Sequence, residues 1–200
     1  MRELSLHILD VIENSLEAGA TEISLRVDED LQSDRLTISV TDNGRGMDAQ
    51  TAQRALDPFY TTRTTRHVGL GLPLFKAAAE RCNGGLSITS QPGQGTTVVA
   101  RFQHSHIDRA PLGDMPATLL SVLLSGRPIR LRYVHRVDDR RFEFDTEELR
   151  QNLGDVPFSH PLVRQWLQDY LEQGEQLVAT GAGSASETPA ASQSTGGKNA

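Results

Sequence analysis

The sequence predicts an α+β fold, and two patterns carry that expectation. Apolar residues recur at helical spacing in Leu4, Ile8, Val11, Ile12 and Leu16, and a second helical segment runs from about Leu70 to Cys82. Around these lie segments that alternate apolar and polar residues, "TEISLRVDED" with "DRLTISVTD" and then "LSITSQPGQGTTVVARF".

The first helix is expected over about 4–18, with Ser5 as its cap and Gly19 as its stop. Ile23, Leu25 and Val27, then Leu36, Ile38 and Val40, predict two antiparallel strands joined by a charged loop. A short helix follows Met47. "DPFYTTRTTRHVGLGL" has little periodicity and reads as a loop. The next helix stops at Asn83-Gly84-Gly85, and two strands turn at a Pro-Gly pair. Beyond about Gln103, "MPATLLSVLLSG" predicts a helix, and "PIRLRYVHRVDDRRFEFDT" a hairpin turning at Asp138-Asp139. "TEELRQNL" and "PLVRQWLQDYLEQG" predict two closing helices. From about Ala179 only small and polar residues remain, too few to bury a core. The expected organisation is 1–104, an extension over 105–177 and a disordered tail over 178–200.

The bulk composition narrows the function classes. The chain has 200 residues and a net charge of −6, which argues against general nucleic-acid or anionic-membrane binding. Its one cysteine, Cys82, excludes an intramolecular disulfide and fits a reducing compartment. The N-terminus does not read as a signal peptide, and no stretch approaches the ~20 apolar residues of a membrane span. A cytoplasmic protein is expected.

Three short stretches carry chemistry. Asp10 and Asn14 share one helix face, and Asn is a poor helix-interior residue unless its amide has a task. An amide oxygen suits magnesium, and a carboxylate one turn earlier could orient water or take a proton. An exposed polar face is the plainer alternative. "DNGRGM" delivers Asp42 at a strand end, with Gly44 and Gly46 allowing close backbone approach. A buried carboxylate there accepts a hydrogen bond from an exocyclic amine such as adenine's and repels guanine's carbonyl. A plain Asp-Asn-Gly turn is the alternative. A dinucleotide-binding loop is rejected, because no second parallel strand with an acidic end follows. "HVGLGL" opens a helix, whose free N–H groups favour anions, with Arg63 and Arg66 upstream; on its own it is also compatible with a simple helix cap.

The order of these pieces is more specific than any one of them. "DVIENSLEAGAT", "DNGRGM", "DPFYTTR", "GLGLPLFKAAAERCNGG" and "GQGTTV" together resemble the ATP-binding domain of the GHKL superfamily, which includes gyrase, heat-shock chaperones, histidine kinases and MutL. The likeness covers roughly residues 4–103 and implies the two-layer α/β sandwich of the Bergerat ATP-binding fold, here with a small C-terminal α+β extension. It implies ATP and Mg²⁺ as ligands. Asn14 would ligate the magnesium, Asp42 pair with the adenine amine, and Gly44 and Gly46 shape the base pocket. Arg63 to Leu72 would form a lid, with Gly69, Leu70 and Gly71 over the phosphates. Thr96 would reach adenine through water.

Two departures bear on activity. ATPases of the superfamily carry a Glu four residues before the Asn, where this chain has the shorter Asp10. That tilts the expectation away from fast hydrolysis, with Asp10 still the catalytic candidate. Only three residues precede the first helix, which leaves no room for a dimerisation hairpin with a phosphoacceptor histidine; His7 reads as packing. The expected function is therefore a stand-alone kinase-like phosphotransferase acting on a partner protein. The alternatives are a slow MutL-like ATPase switch and a non-catalytic nucleotide-sensing scaffold. A partner protein is expected and a homodimer left open; nucleic acid and membrane are not expected.

Other features take plainer readings. His104, His106 and Asp108 could bind a metal, but a strand end docking the extension is the stronger reading. Cys82 reads as a buried small residue. Trp166, Leu167, Tyr170 and Leu171 read as a packing stripe, and the arginines of "RPIRLRYVHRVDDRR" as a hairpin's solvent face.

Overall fold

A computed structural model describes residues 3–57, 71–154 and 156–180. It comprises α1 (Leu4–Glu17), β1 (Glu22–Asp30), β2 (Arg35–Asp42), α2 (Ala49–Arg54), α3 (Gly71–Arg81), β3 (Gly85–Gln91), β4 (Gly95–Gln103), α4 (Met115–Leu123), β5 (Arg130–Val137), β6 (Arg140–Asp145), α5 (Thr146–Leu153) and α6 (Pro161–Thr180). The six strands form one sheet in the order β3-β4-β2-β1-β5-β6. All neighbours are antiparallel except β1 and β5.

Strand alternation puts Leu25, Val27, Ile38, Val40, Val98, Ala100, Leu131 and Tyr133 on one buried face. Against it pack α1 and α3 on the β2–β4–β3 side and α6 on the β5–β6 side, with α4 between α1 and α6. This is the expected α+β two-layer sandwich. The hairpin after residue 105 is not a separate layer. β5 pairs with β1 from Glu22↔Arg130 to Glu29↔Val137, so the sheet and core run through without a break.

Two local expectations are corrected. Ser5 does not cap α1. Glu3 holds the cap position, Ser5 is buried inside the helix, and the first free amides are taken by a later segment: Leu4 N donates to Pro111 O and Ser5 N to Leu112 O. The last helix, read over "PLVRQWLQDYLEQG", runs on past Gly174 to Thr180, beyond the expected start of the tail at 178, and the tail from 181 lies outside the described residues. That glycine is buried against Phe142, where a Cβ would come within 2.3 Å of the ring, and α6 continues to Thr180 with Val178 buried. Gly174 is there for close approach, not for termination.

A buried polar chain closes the core at the end of β1 away from Asp42. His135 is 5% exposed on β5. Its Nε2 lies 2.9 Å from Glu29 Oε1 of β1, and its Nδ1 2.9 Å from Glu175 Oε2 of α6. The Tyr133 hydroxyl donates to Glu175 Oε1 at 2.8 Å, and His104 Nε2 lies 2.6 Å from Glu29 Oε2. Burial opposes the charged imidazolium, but the hydrogen bonds it donates to Glu175 and Glu29 outweigh this and raise the His135 pKa from 6.5 to about 9. Burial likewise pushes Glu29 up, and its bonds to His135 and His104 more than offset this, holding it at about 2. His104 thus joins the strand end to the joint, and its partner is a carboxylate.

Candidate functional site

At the other end of the buried face, cross-strand register lines up Ser90 of β3, Thr96 of β4 and Asp42 of β2. Asp42 is 8% exposed. Its Oδ2 accepts from Ser15 Oγ of α1 at 2.8 Å and its Oδ1 from Gly44 N at 2.8 Å. Thr96 Oγ1 lies 2.9 Å from Ser90 Oγ, and Ser90 Oγ also accepts from Met47 N.

The loop after β2 is fastened on two sides. Asn43 Oδ1 accepts from Thr21 N and Glu22 N, both at 2.9 Å, and Arg45 N donates to Ala18 O. Gly93 N donates to Arg45 O. Gly44 packs on Ala18, where a Cβ would lie 3.0 Å from the alanine's own. Gly46 has φ +63, and a Cβ there would fall 1.9 Å from Gln91 O. The loop is thus held between the end of α1 and the β3–β4 turn, and glycine is required at Gly46 both for its φ and for its contact.

α1 carries the other candidates past this row. Asp10 and Asn14 sit one turn apart and are half-buried, and Ser15 follows directly. Gly71, the first described residue of α3, abuts Asp10; a Cβ on it would lie 3.1 Å from Asp10 Cβ and 3.3 Å from Oδ2. The described N-terminal end of α3 thus lies against the Asp10 turn of α1. The structure brings Asp10, Asn14, Asp42, Gly44, Gly46, Gly71 and Thr96 to one end of the sandwich. Arg63, Gly69 and Leu70 lie outside the described residues. Sequence reasoning missed Ser15 and Ser90. Ser15 was signalled only by its place beside Asn14, and Ser90 by nothing short of register.

His7 packs rather than reacts. It is buried, and its ring stacks on Phe75 of α3 at 5.0 Å and 7°. Burial and, to a lesser degree, the N-terminal charge lower its pKa from 6.5 to about 4. Its Nδ1 is buried with no hydrogen-bond partner. His7→Phe keeps a flat stacked ring and removes the unpaired atom. It is expected to raise stability by about 1 kcal/mol, a shift of about 3 °C in the midpoint of thermal unfolding followed by circular dichroism.

The donor set fits the ligands that the sequence suggested. The single amide oxygen of Asn14 is little for a cation, as suits magnesium when phosphates and water supply the other ligands. Among the described residues no cluster of three or more His, Cys, Asp or Glu side chains could hold a metal by itself. The chain matches the family described as "Histidine kinase-, DNA gyrase B-, and HSP90-like ATPase" over residues 2–106. It belongs to that family. Residues 2–106 of this ATPase-family chain therefore form a histidine-kinase-like ATP-binding domain.

Its relatives include the sensor protein kinase FleS of Pseudomonas aeruginosa, 44% identical over 89 residues, covering 44% of this chain and 22% of FleS. The sensor histidine kinase YxdK of Bacillus subtilis is 32% identical over 108 residues, covering 50% of this chain and 32% of YxdK. The non-motile and phage-resistance protein of Caulobacter vibrioides is 31% identical over 119 residues, covering 55% and 14%. The chain thus spans at most 32% of the length of these curated relatives. Among solved structures, the N-terminal domain of a DNA repair protein aligns with a TM-score of 0.49 at 16% identity, over 72% of this chain and 52% of that one. Among the described residues, no helix is long and apolar enough to cross a membrane.

Proposed function

We propose that this ATPase-family chain binds Mg-ATP at the α1 end of the sandwich and passes the γ-phosphoryl group to a side chain of a partner protein. The observation that carries the reading is the placement of Asp10 and Asn14 on one face of α1, between Gly71 of α3 and the Asp42 row. Sensor kinases among the relatives support phosphoryl transfer over other uses of the nucleotide.

Each group has a task in this reading. Asp42 accepts from the 6-amino group of adenine, and Thr96 holds a water against the ring. The amides at the start of α3 face the phosphates. Asn14 would hold the magnesium, which neutralises charge on the phosphate oxygens. Asp10 accepts the proton of the attacking group as the bond from the γ-phosphorus to ADP breaks and the bond to the acceptor forms. In such transfer most of the work is positioning and charge stabilisation. A carboxylate in the place of Asp10 serves equally to orient water, so a slow ATPase switch differs only in its acceptor.

Calorimetric titration with ATP, with and without Mg²⁺ and with GTP as control, is the first test. Adenine-selective binding strengthened by Mg²⁺ is expected, and Asp42→Asn should weaken it at least about tenfold. Unchanged ATP affinity in that variant would overturn the site. Asp10→Ala is expected to keep ATP binding and lose label transfer from γ-labelled ATP. Label that appears only as free phosphate would favour the ATPase switch.

A further inference from the structure

Asp42 is held from two sides, and only one of the two donors belongs to its own loop. Gly44 N fixes Oδ1 and Ser15 Oγ fixes Oδ2, each at 2.8 Å. A carboxylate gripped on one oxygen pivots about that bond, whereas donors on both oxygens fix its plane. Ser15 Oγ also lies 3.2 Å from Val11 O, but a hydroxyl has one proton. The shorter contact to an ionised acceptor takes it. Ser15 is 3% exposed, in a helix where alanine would be the better helix former. Its hydroxyl is therefore explained by Asp42, not by the helix.

We infer that Ser15 is a positioning residue for base selection: it turns the Asp42 carboxylate so that its remaining lone pairs face the exocyclic amine of the bound purine. The inference rests on the base-pocket reading above. Without the hydroxyl, Gly44 N still holds one oxygen, the carboxylate swings, and the contact that distinguishes an amino group from its absence weakens. The groups assigned to the phosphate end, Asn14 just before Ser15 and Asp10 five residues before it, make no part of this contact and are unchanged by its loss.

The test compares ATP with purine riboside triphosphate, which lacks the 6-amino group, by calorimetry on the full chain. In the native protein the missing amine lowers affinity. In Ser15→Ala, ATP affinity is expected to fall about tenfold while purine riboside triphosphate stays within about twofold, so the penalty for the missing amine shrinks. Ser15→Thr keeps a hydroxyl and is expected to restore the native ratio. Equal losses for both nucleotides, no loss for either, or a Ser15→Ala protein that does not fold would make the hydroxyl structural and overturn the inference. A native protein that binds ATP but does not discriminate between the nucleotides would instead overturn the base-pocket reading itself.

Discussion

His135→Ala is expected to destabilise the protein by about 3–5 kcal/mol, the effect of leaving buried charges without their partner. Glu29 and Glu175 each bond a ring nitrogen of His135, and both are less than one-fifth exposed. Denaturant unfolding at pH 6.5, with the native chain as reference, measures the loss. The same joint sets the pH profile. The His135 pKa is raised from 6.5 to about 9, so the folded state holds the proton that the unfolded chain releases first. Its contribution is complete below pH 6.5 and disappears as pH rises through 9, a difference of about 3 kcal/mol. Glu29, lowered to about 2, gives stability that is complete above pH 4.5 and lost as pH falls through 2. The two share one contact and do not add. His7 acts in the other sense: lowered to about 4, it withholds a proton that the unfolded chain takes up, and stability drops as pH falls from 6.5 toward 4. The maximum is expected near pH 6.5, and His135→Ala should flatten its alkaline side.

Gly46→Ala is the second large effect, and it falls on the site. The residue lies at φ +63, and its new Cβ would meet the Gln91 carbonyl at 1.9 Å, a backbone group that a side-chain rotation cannot relieve. Relief requires parting the loop from the β3–β4 turn, which breaks the bonds from Gly93 N to Arg45 O and from Met47 N to Ser90 Oγ. Gly93→Ala is the control. Its φ is +74 but nothing lies within 4 Å, so it meets backbone strain alone. The expected losses are about 3 kcal/mol for Gly46→Ala and about 1 kcal/mol for Gly93→Ala. ATP affinity should fall at least about tenfold in the first and remain native in the second. Equal behaviour of the two would mean that the loop does not depend on its contact with the turn.

Local elements were legible because their causes are local. Leu4, Ile8, Val11 and Ile12 define α1 by spacing, and Asp138-Asp139 sits at the hairpin tip as expected. The order of the glycine loops was enough to gather Asp10, Asn14, Asp42 and Gly71 at one end. What stayed hidden depends on partners distant in the chain. The pairing of β1 with β5 has no signal in either strand, since an alternating strand reads alike beside any neighbour. Ser5 has the composition of a cap but is displaced from that role by the carbonyls of Pro111 and Leu112. The place of Gly174 inside α6 is set by Phe142, which packs where its Cβ would be and lies 32 residues away in the chain. Glu29, His135 and Glu175 look like ordinary surface charges until the strands are in register.

The parallel pairing of β1 with β5 also fixes the order in which the molecule can be completed during synthesis. In the joint, 106 residues separate Glu29 from His135. At a ribosomal rate of roughly 5–20 residues per second, β1 waits on the order of 5–20 s for that neighbour. Throughout the wait β2 can cover one edge of β1, while Ile23, Leu25 and Val27 line a strand whose other edge is open. The nascent chain thus passes through an interval in which its first hairpin is a template for pairing with another copy, and late capture by β5 ends it.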